Sequence, residues 1–169
     1  MTIDALNHLE REAAEAAFAR CCGSTAWARS MAAARPFPSL DAMAGAADTI
    51  WRSLTPADWL EAFAAHPKIG EQARGPSWSE REQSGMQTAG DDVRQRLAAG
   101  NADYQSRFGY IFIVCATGKT AAEMLAALED RLTNDPVVEL RVASEEQRRI
   151  TGLRLAKLMD GMNDHDSRS

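Results

Sequence analysis

His66 stands where a proton-transferring side chain could be held against a cleft. It lies at the end of a predicted helix, immediately before Pro67, and proline disfavours helical backbone in the residue that precedes it. Gly70 follows and tolerates a sharp bend. An imidazole with an unperturbed pKa of about 6.5 suits proton transfer near neutral pH. The alternative is a histidine that only caps its helix, where the dipole favours a cation.

Two other charged side chains could take part in the same chemistry. Glu82 could orient the imidazole of His66, but with Ser79 it also has the spacing of a capping box. Arg154 lies between two leucines in a predicted helix, where a guanidinium can bind a carboxylate or ureido group through two hydrogen bonds. The alternative is a surface arginine whose stem covers apolar neighbours. Local pattern alone favours the structural interpretation of both.

Several other patterns predict no site. A Gly-Lys-Thr sequence ending at Thr120 is like the end of a phosphate-binding loop, but that motif needs glycine where Ile113 stands. Cys115 lies in an apolar run, where a free cysteine is usually inert. The chain has three histidines, His8, His66 and His165. Their positions do not have the spacing of metal ligands, so we expect no metal site.

The composition favours a helical protein of one domain and argues against nucleic-acid and membrane binding. The 169 residues suffice for one domain with its own core, and abundant alanine favours helix. A net charge of −5 without a basic stripe argues against nucleic-acid binding. No apolar run approaches the ~18 residues of a membrane span, and the three cysteines form neither a disulfide framework nor a zinc pair. We therefore expect a cytoplasmic protein with no nucleic-acid or membrane partner.

Start and stop signals predict which helices carry these residues. In the first half of the chain they predict helices over 5–22, from Ser24 or Thr25 toward Ala34, over 40–53, and from Thr55 to near Pro67. In the second half they predict a helix from Ser79 that Gly100 ends, one after Thr120, and a last one from Pro136. The last helix should turn Leu140, Ala143, Ile150, Leu153 and Leu158 toward a core.

The apolar run over 108–116 is the one segment whose type stays open. Its periodicity fits a strand or a buried helix equally well. Counting the remaining elements, we predict an all-α fold, a compact single-domain bundle of seven to eight helices with at most one strand. The domain should span residues 1–162 and leave a polar tail over 163–169.

Four blocks of sequence, taken in order, resemble the OHCU (2-oxo-4-hydroxy-4-carboxy-5-ureidoimidazoline) decarboxylase family. They are HPKIG at 66–70, WSEREQ at 78–83, NADY with RFGYIFIVCA at 101–116, and EQRRI followed by LRL at 146–155. Any one block is weak, but four in this order are specific. The resemblance covers about Leu6 to Leu158, and Lys68 is similar to the bacterial and plant form of the first block.

The resemblance implies a function and a site. It implies a carboxy-lyase that converts OHCU to (S)-allantoin and CO2 in urate and purine catabolism, all-α, homodimeric, and without metal or organic cofactor. His66 would be the catalytic histidine, Glu82 its carboxylate partner and Arg154 the anchor of the small-molecule substrate. The positions implied to contact substrate are Pro67, Ser79, Glu80, Arg81, Glu82, Gln83, Phe112, Ile113, Val114, Cys115, Ala116 and Arg154.

Two alternatives to this function stay open at the level of sequence. The chain could be a non-catalytic helical interaction module that has kept the fold, or a lyase acting on a related ureido acid. The joint presence of His66, Glu82 and Arg154 argues against the interaction module. If the chain is a decarboxylase, we expect backbone groups over 113–116 to help Arg154 hold the substrate.

Overall fold

The structure, a computed structural model, describes residues 1–67 and 90–160. Within these ranges the chain forms eight α-helices and no strand, so the predicted all-α class is confirmed. The helices are α1 (Ile3–His8), α2 (Arg11–Cys21), α3 (Thr25–Ala34), α4 (Leu40–Ser53), α5 (Pro56–Ala64), α6 (Asp91–Phe108), α7 (Ala121–Arg131) and α8 (Pro136–Asp160). The predicted helix start at Ser79 and the tail over 163–169 lie outside the described residues.

Hydroxyl caps begin several of these helices, as predicted. Ser24 Oγ accepts the N–H of Trp27 at 3.2 Å at the start of α3, and Ser39 Oγ accepts the N–H of Ala42 at 3.1 Å at the start of α4. Each bond satisfies an N–H group that the first helical turn leaves without an intrahelical partner. The predicted range of α4 is confirmed, and α5 ends shortly before Pro67.

The single helix predicted over 5–22 is wrong, because α1 and α2 are separate. Leu9 is extended, with ψ 144°, and Glu10 has a ψ of 149° that is not helical either. The guanidinium of Arg35 donates to the carbonyl oxygens of Leu6 and Leu9, both at 2.8 Å from Nη1. These bonds add a partner to carbonyl groups at the end of α1, where the Leu6 oxygen also accepts the N–H of Leu9 at 3.3 Å. A distant side chain therefore stabilises a break that no local glycine or proline marks.

The prediction that Gly100 ends a helix is also wrong. Helix α6 runs through Gly100 to Phe108 and ends at Gly109, which has a left-handed φ of 85°. A Cβ built on Gly100 would lie 2.6 Å from Cδ2 of Leu128 in α7. The missing side chain lets α6 pack closely on α7, and the glycine that ends the helix comes later.

The apolar run over 108–116 is neither of the two structures considered. Phe108 is the last residue of α6, and residues 111–116 have no regular secondary structure. The side chains of Phe112, Ile113 and Val114 are nevertheless buried. In α8, Ala143 and Ile150 are buried as predicted, and Leu140 and Leu158 are half-buried. Leu153 is 39% exposed, so its assignment to the core is wrong.

The chain divides into two compact units. The first comprises Met1–Ala62 and Arg148–Ser169. Its core contains the buried ring of Phe18, which meets Trp27 at 6.0 Å and Phe37 at 6.4 Å, both edge to face. The indole N–H of Trp27 donates to the carbonyl of Ala47 at 3.1 Å.

The second unit comprises Phe63–Gln147. Its core consists of Leu97, Tyr104, Phe112, Val114, Ala121, Met124, Leu125 and Leu128. The segment between α6 and α7 thus supplies core side chains while its backbone stays irregular. The single domain predicted over 1–162 stays a prediction. None of the helices over 1–67 and 90–160 is long and apolar enough to cross a membrane.

Candidate active site

His66 lies in the turn that follows α5, where the sequence predicted it. Its backbone N–H donates to the carbonyl of Phe63 at 3.2 Å, its side chain is half-buried, and Pro67 beside it is exposed. The fully buried ring of Phe63 packs against Tyr110, with ring centroids 5.3 Å apart. The end of α5 is therefore anchored within the second unit, and this anchor restricts where the imidazole can point.

The imidazole of His66 is bound by a residue that the sequence did not single out. Nε2 of His66 lies 2.6 Å from Oε1 of Gln147, which is fully buried in α8. The neighbouring Glu146 is also buried and pairs with Nζ of Lys119 at 3.6 Å. Gln147 stood within a matching block, but no local pattern links a glutamine to a histidine 81 positions away.

A buried arginine holds the backbone of the segment predicted to contact substrate. Nη1 of Arg131 donates to the carbonyl of Ile113 at 2.7 Å, and its guanidinium lies 4.5 Å from the ring centroid of Phe112. Phe112 and Val114 belong to the core of the second unit. These contacts fix the backbone of the segment, and its role in holding a substrate stays a prediction.

Arg131 is itself held by a buried carboxylate. Oε1 of Glu139 accepts from Nε of Arg131 at 2.7 Å and from the hydroxyl of Tyr104 at 2.5 Å. Oε2 of Glu139 accepts from Nδ2 of Asn134 at 2.9 Å. Burial, together with the hydrogen bond to Glu139, raises the pKa of Tyr104, so its hydroxyl stays protonated and donates. A network of hydrogen bonds in the core therefore fixes the Ile113 carbonyl.

Arg154 lies half-buried on α8 within the first unit. Its positive charge acts on the buried thiols of Cys21 and Cys22 and opposes the rise in their pKa. Burial nevertheless raises the pKa of Cys21 to about 12, so this thiol stays protonated and is a poor nucleophile.

The predicted site residues fall in three places. His66, Pro67 and the 112–116 segment lie in the second unit, with Cys115 and Ala116 half-buried. Arg154 lies in the first unit. Glu82 and the rest of 79–83 lie outside the described residues, so the pairing of Glu82 with His66 stays a prediction.

Neither the cavity of the first unit nor any cluster of metal-binding side chains coincides with the predicted site among the described residues. The first unit has a cavity of about 450 Å³ between α4 and α8, next to an ion pair of Arg148 with Asp48 at 3.5 Å. None of the predicted site residues lines this cavity. Among residues 1–67 and 90–160, no group of three or more histidine, cysteine or acidic side chains could hold a metal ion.

Comparison with known proteins gives consistent results. A family model described as OHCU decarboxylase matches residues 7–156. The uric acid degradation bifunctional protein TTL of Arabidopsis thaliana is 44% identical over 146 residues, which cover 82% of this chain and 45% of that protein. The 2-oxo-4-hydroxy-4-carboxy-5-ureidoimidazoline decarboxylase of Haloferax volcanii is 28% identical over 163 residues, covering 93% and 95%.

A solved structure is similar in both sequence and fold. It is the crystal structure of an OHCU decarboxylase in the presence of (S)-allantoin, with a TM-score of 0.77 and 44% sequence identity. The match covers 90% of this chain and 99% of that one. This chain spans less than half of the Arabidopsis protein but nearly all of the solved structure.

Proposed function

This chain belongs to the OHCU decarboxylase family, and on that premise we propose that it converts OHCU to (S)-allantoin and CO2 in urate degradation. The observation that carries the proposal is the family match over residues 7–156. It is supported by a solved decarboxylase of which the match covers 99% at 44% identity. The proposed activity is that of a carboxy-lyase whose substrate is a small ureidoimidazoline.

The chemistry of the substrate explains how a protein could work without an added electron sink. Loss of CO2 breaks a carbon–carbon bond and leaves its electron pair on the ring carbon. The neighbouring C=N bond and the ring carbonyl beyond it take up that pair. The hydroxyl on the same carbon then loses its proton and becomes a carbonyl, and a proton added to the neighbouring carbon, which bears the ureido group, completes the product. The protein then has to hold the ring, disfavour the localised charge of the carboxylate and move protons. We propose that this chain does so with its own residues alone.

We propose that His66 is the acid–base group. It moves the hydroxyl proton of the substrate or delivers a proton from one face to the ring carbon that bears the ureido group, and one-sided delivery gives the (S) product. A positioned group of this kind contributes about 10²–10⁴-fold to the rate. The turn after α5 and the bond to Gln147 support this role, because both restrict the imidazole. Glu82 is the proposed carboxylate partner.

We propose that Arg154 and the backbone of 113–116 hold the substrate. The Arg154→Ala variant should therefore raise KM about 10- to 100-fold with a smaller change in kcat, since a hydrogen bond to a charged group contributes about 1.5–3 kcal/mol. Steady-state kinetics on the coupled substrate measure both constants. Arg141→Ala is the matched control, because Arg141 is exposed on the same helix. An unchanged KM in Arg154→Ala would remove this residue as the anchor.

The reaction itself is tested by forming the substrate in place. Urate oxidase and hydroxyisourate hydrolase generate OHCU from urate, and circular dichroism follows the product with and without this protein. We expect a rapid optically active allantoin signal only when the protein is present. If the slow racemic decay is the same in both samples, the decarboxylase proposal fails and a non-catalytic interaction module takes its place.

Three finer properties complete the proposal. We propose a cytoplasmic protein, since its three cysteines are free in the structure and such thiols persist in a reducing compartment. We also propose a homodimer, as the family resemblance implies. A single domain over 1–162 is the unit that we propose to carry the activity.

A further inference from the structure

We propose that Gln147 is a positioning residue that holds the imidazole of His66 with its hydrogen on Nε2. The lone pair of the neutral ring is then on Nδ1, so Nδ1 is the nitrogen that takes up a proton during the reaction. The catalytic meaning of this assignment rests on the proposed function. The tautomer itself does not, because it follows from the contact between the two side chains.

The contact fixes the direction of the hydrogen bond. Nε2 of His66 lies 2.6 Å from Oε1 of Gln147, a close contact just below the usual N–H···O hydrogen-bond distance of about 2.7–3.2 Å. An amide oxygen can only accept, so the imidazole nitrogen must donate. A neutral imidazole has one N–H, and the partner of one nitrogen therefore decides the state of the other.

Burial makes this contact costly to break. Gln147 is fully buried, and a buried polar group left without a partner loses the hydration that it had in the unfolded chain. His66 is half-buried and sits in a turn whose backbone is tied to Phe63. The glutamine therefore provides a rigid acceptor, and the imidazole orients to it.

His8 provides an internal comparison of the opposite kind. Its Nδ1 lies 2.7 Å from the backbone carbonyl oxygen of Asp4 in α1, and both residues are exposed. A carbonyl oxygen can only accept, so this contact favours a hydrogen on Nδ1. The two histidines should therefore show opposite tautomers in one sample.

The test is nitrogen-15 NMR of the histidine side chains in the full-length protein at alkaline pH. His66→Ala and His8→Ala assign the signals. We expect His66 to carry its hydrogen on Nε2 and His8 to favour Nδ1. A His66 hydrogen on Nδ1 would overturn the proposal, whether or not the protein decarboxylates OHCU. Absence of decarboxylation with Nε2 protonated would reject only the proposed function.

Gln147→Met tests the consequence for catalysis. Methionine has a similar volume and no strong acceptor, so His66 should lose its single tautomer. We expect kcat to fall about 10-fold or more, as part of the 10²–10⁴-fold that a positioned acid–base group supplies. KM should change little, because the glutamine acts on the imidazole and not on the bound substrate. Gln105→Met is the matched control, because Gln105 is exposed in the same unit.

The outcomes of this variant separate a positioning role from a packing role. A folded Gln147→Met that keeps the wild-type kcat would overturn the proposal, even if the tautomer changes. Gln147→Glu is the rescue variant, since glutamate keeps an acceptor oxygen at the same reach. If Gln147→Met lowers both kcat and thermal stability, and Gln147→Glu restores neither, the proposal is also overturned. Should Gln147→Met fail to fold, the wild-type tautomer still decides the assignment.

Discussion

The His66→Ala variant should lose stereoselective decarboxylation while it keeps its helical content. We expect kcat/KM to fall by about 10²–10⁴-fold, the usual contribution of a positioned acid–base group. The substitution also removes a partner of the buried Gln147 amide, so the free energy of unfolding should fall by about 1–3 kcal/mol. That loss is smaller than the stability of a typical domain, and the variant should remain folded at room temperature.

The measurement combines the coupled circular dichroism assay with a thermal melt. In His66→Ala we expect only the slow racemic decay that the substrate shows without protein. His8→Ala is the control, because His8 is exposed and its imidazole bonds to a backbone carbonyl. Near-normal production of (S)-allantoin by a folded His66→Ala would assign the acid–base role to another residue.

The helix boundaries that the sequence predicted well depend on local chemistry. The hydroxyl groups of Ser24 and Ser39 each accept a backbone N–H in the first turn of a helix. Pro136 is the first residue of α8, a position where its missing N–H costs no hydrogen bond. The break between α1 and α2 could not be predicted, because the guanidinium that stabilises it belongs to Arg35, 29 positions from Leu6. Hydrogen bonds across such distances in sequence leave no local pattern.

Gly100 and Leu153 illustrate a second limit. Glycine signals a helix end and a close approach of two helices equally well, and only the position of Leu128 decides between them. The periodicity of α8 favoured a buried Leu153, but its side chain is 39% exposed. The spacing of apolar residues predicts which face of a helix is buried. How far along the helix that face stays buried depends on the elements that pack against it.

Some features of the candidate site could be predicted from local sequence, and others could not. The turn at His66 follows from Pro67, which acts on the adjacent residue. The role of His66, and the roles of Glu82 and Arg154, came from the order of the motifs and stay predictions. Gln147 was missed because its contact with His66 spans 81 positions. Tertiary contacts, not local signals, identify which side chain holds the imidazole.

The Arg131→Met variant should be strongly destabilised. Arg131 and Glu139 are both buried, with Nη2 of the arginine 2.6 Å from Oε1 of the glutamate. Removal of the arginine leaves a buried carboxylate without its cation, and breaking such a pair costs about 3–5 kcal/mol. The bond to the Ile113 carbonyl is lost as well. Chemical denaturation monitored by circular dichroism measures the change in the free energy of unfolding.

A second ion pair in the same unit isolates the effect of burial. Nη2 of Arg96 also lies 2.6 Å from Oε1 of Glu129, but these side chains are 53% and 51% exposed. Because water screens exposed charges, Arg96→Met should cost at most about 1 kcal/mol. The double variant Arg131→Met with Glu139→Leu should lose less than the sum of its single variants, since neither partner is left as an unpaired charge. Equal losses in Arg131→Met and Arg96→Met would show that burial adds nothing to this pair, and that other contacts hold the backbone of 112–116.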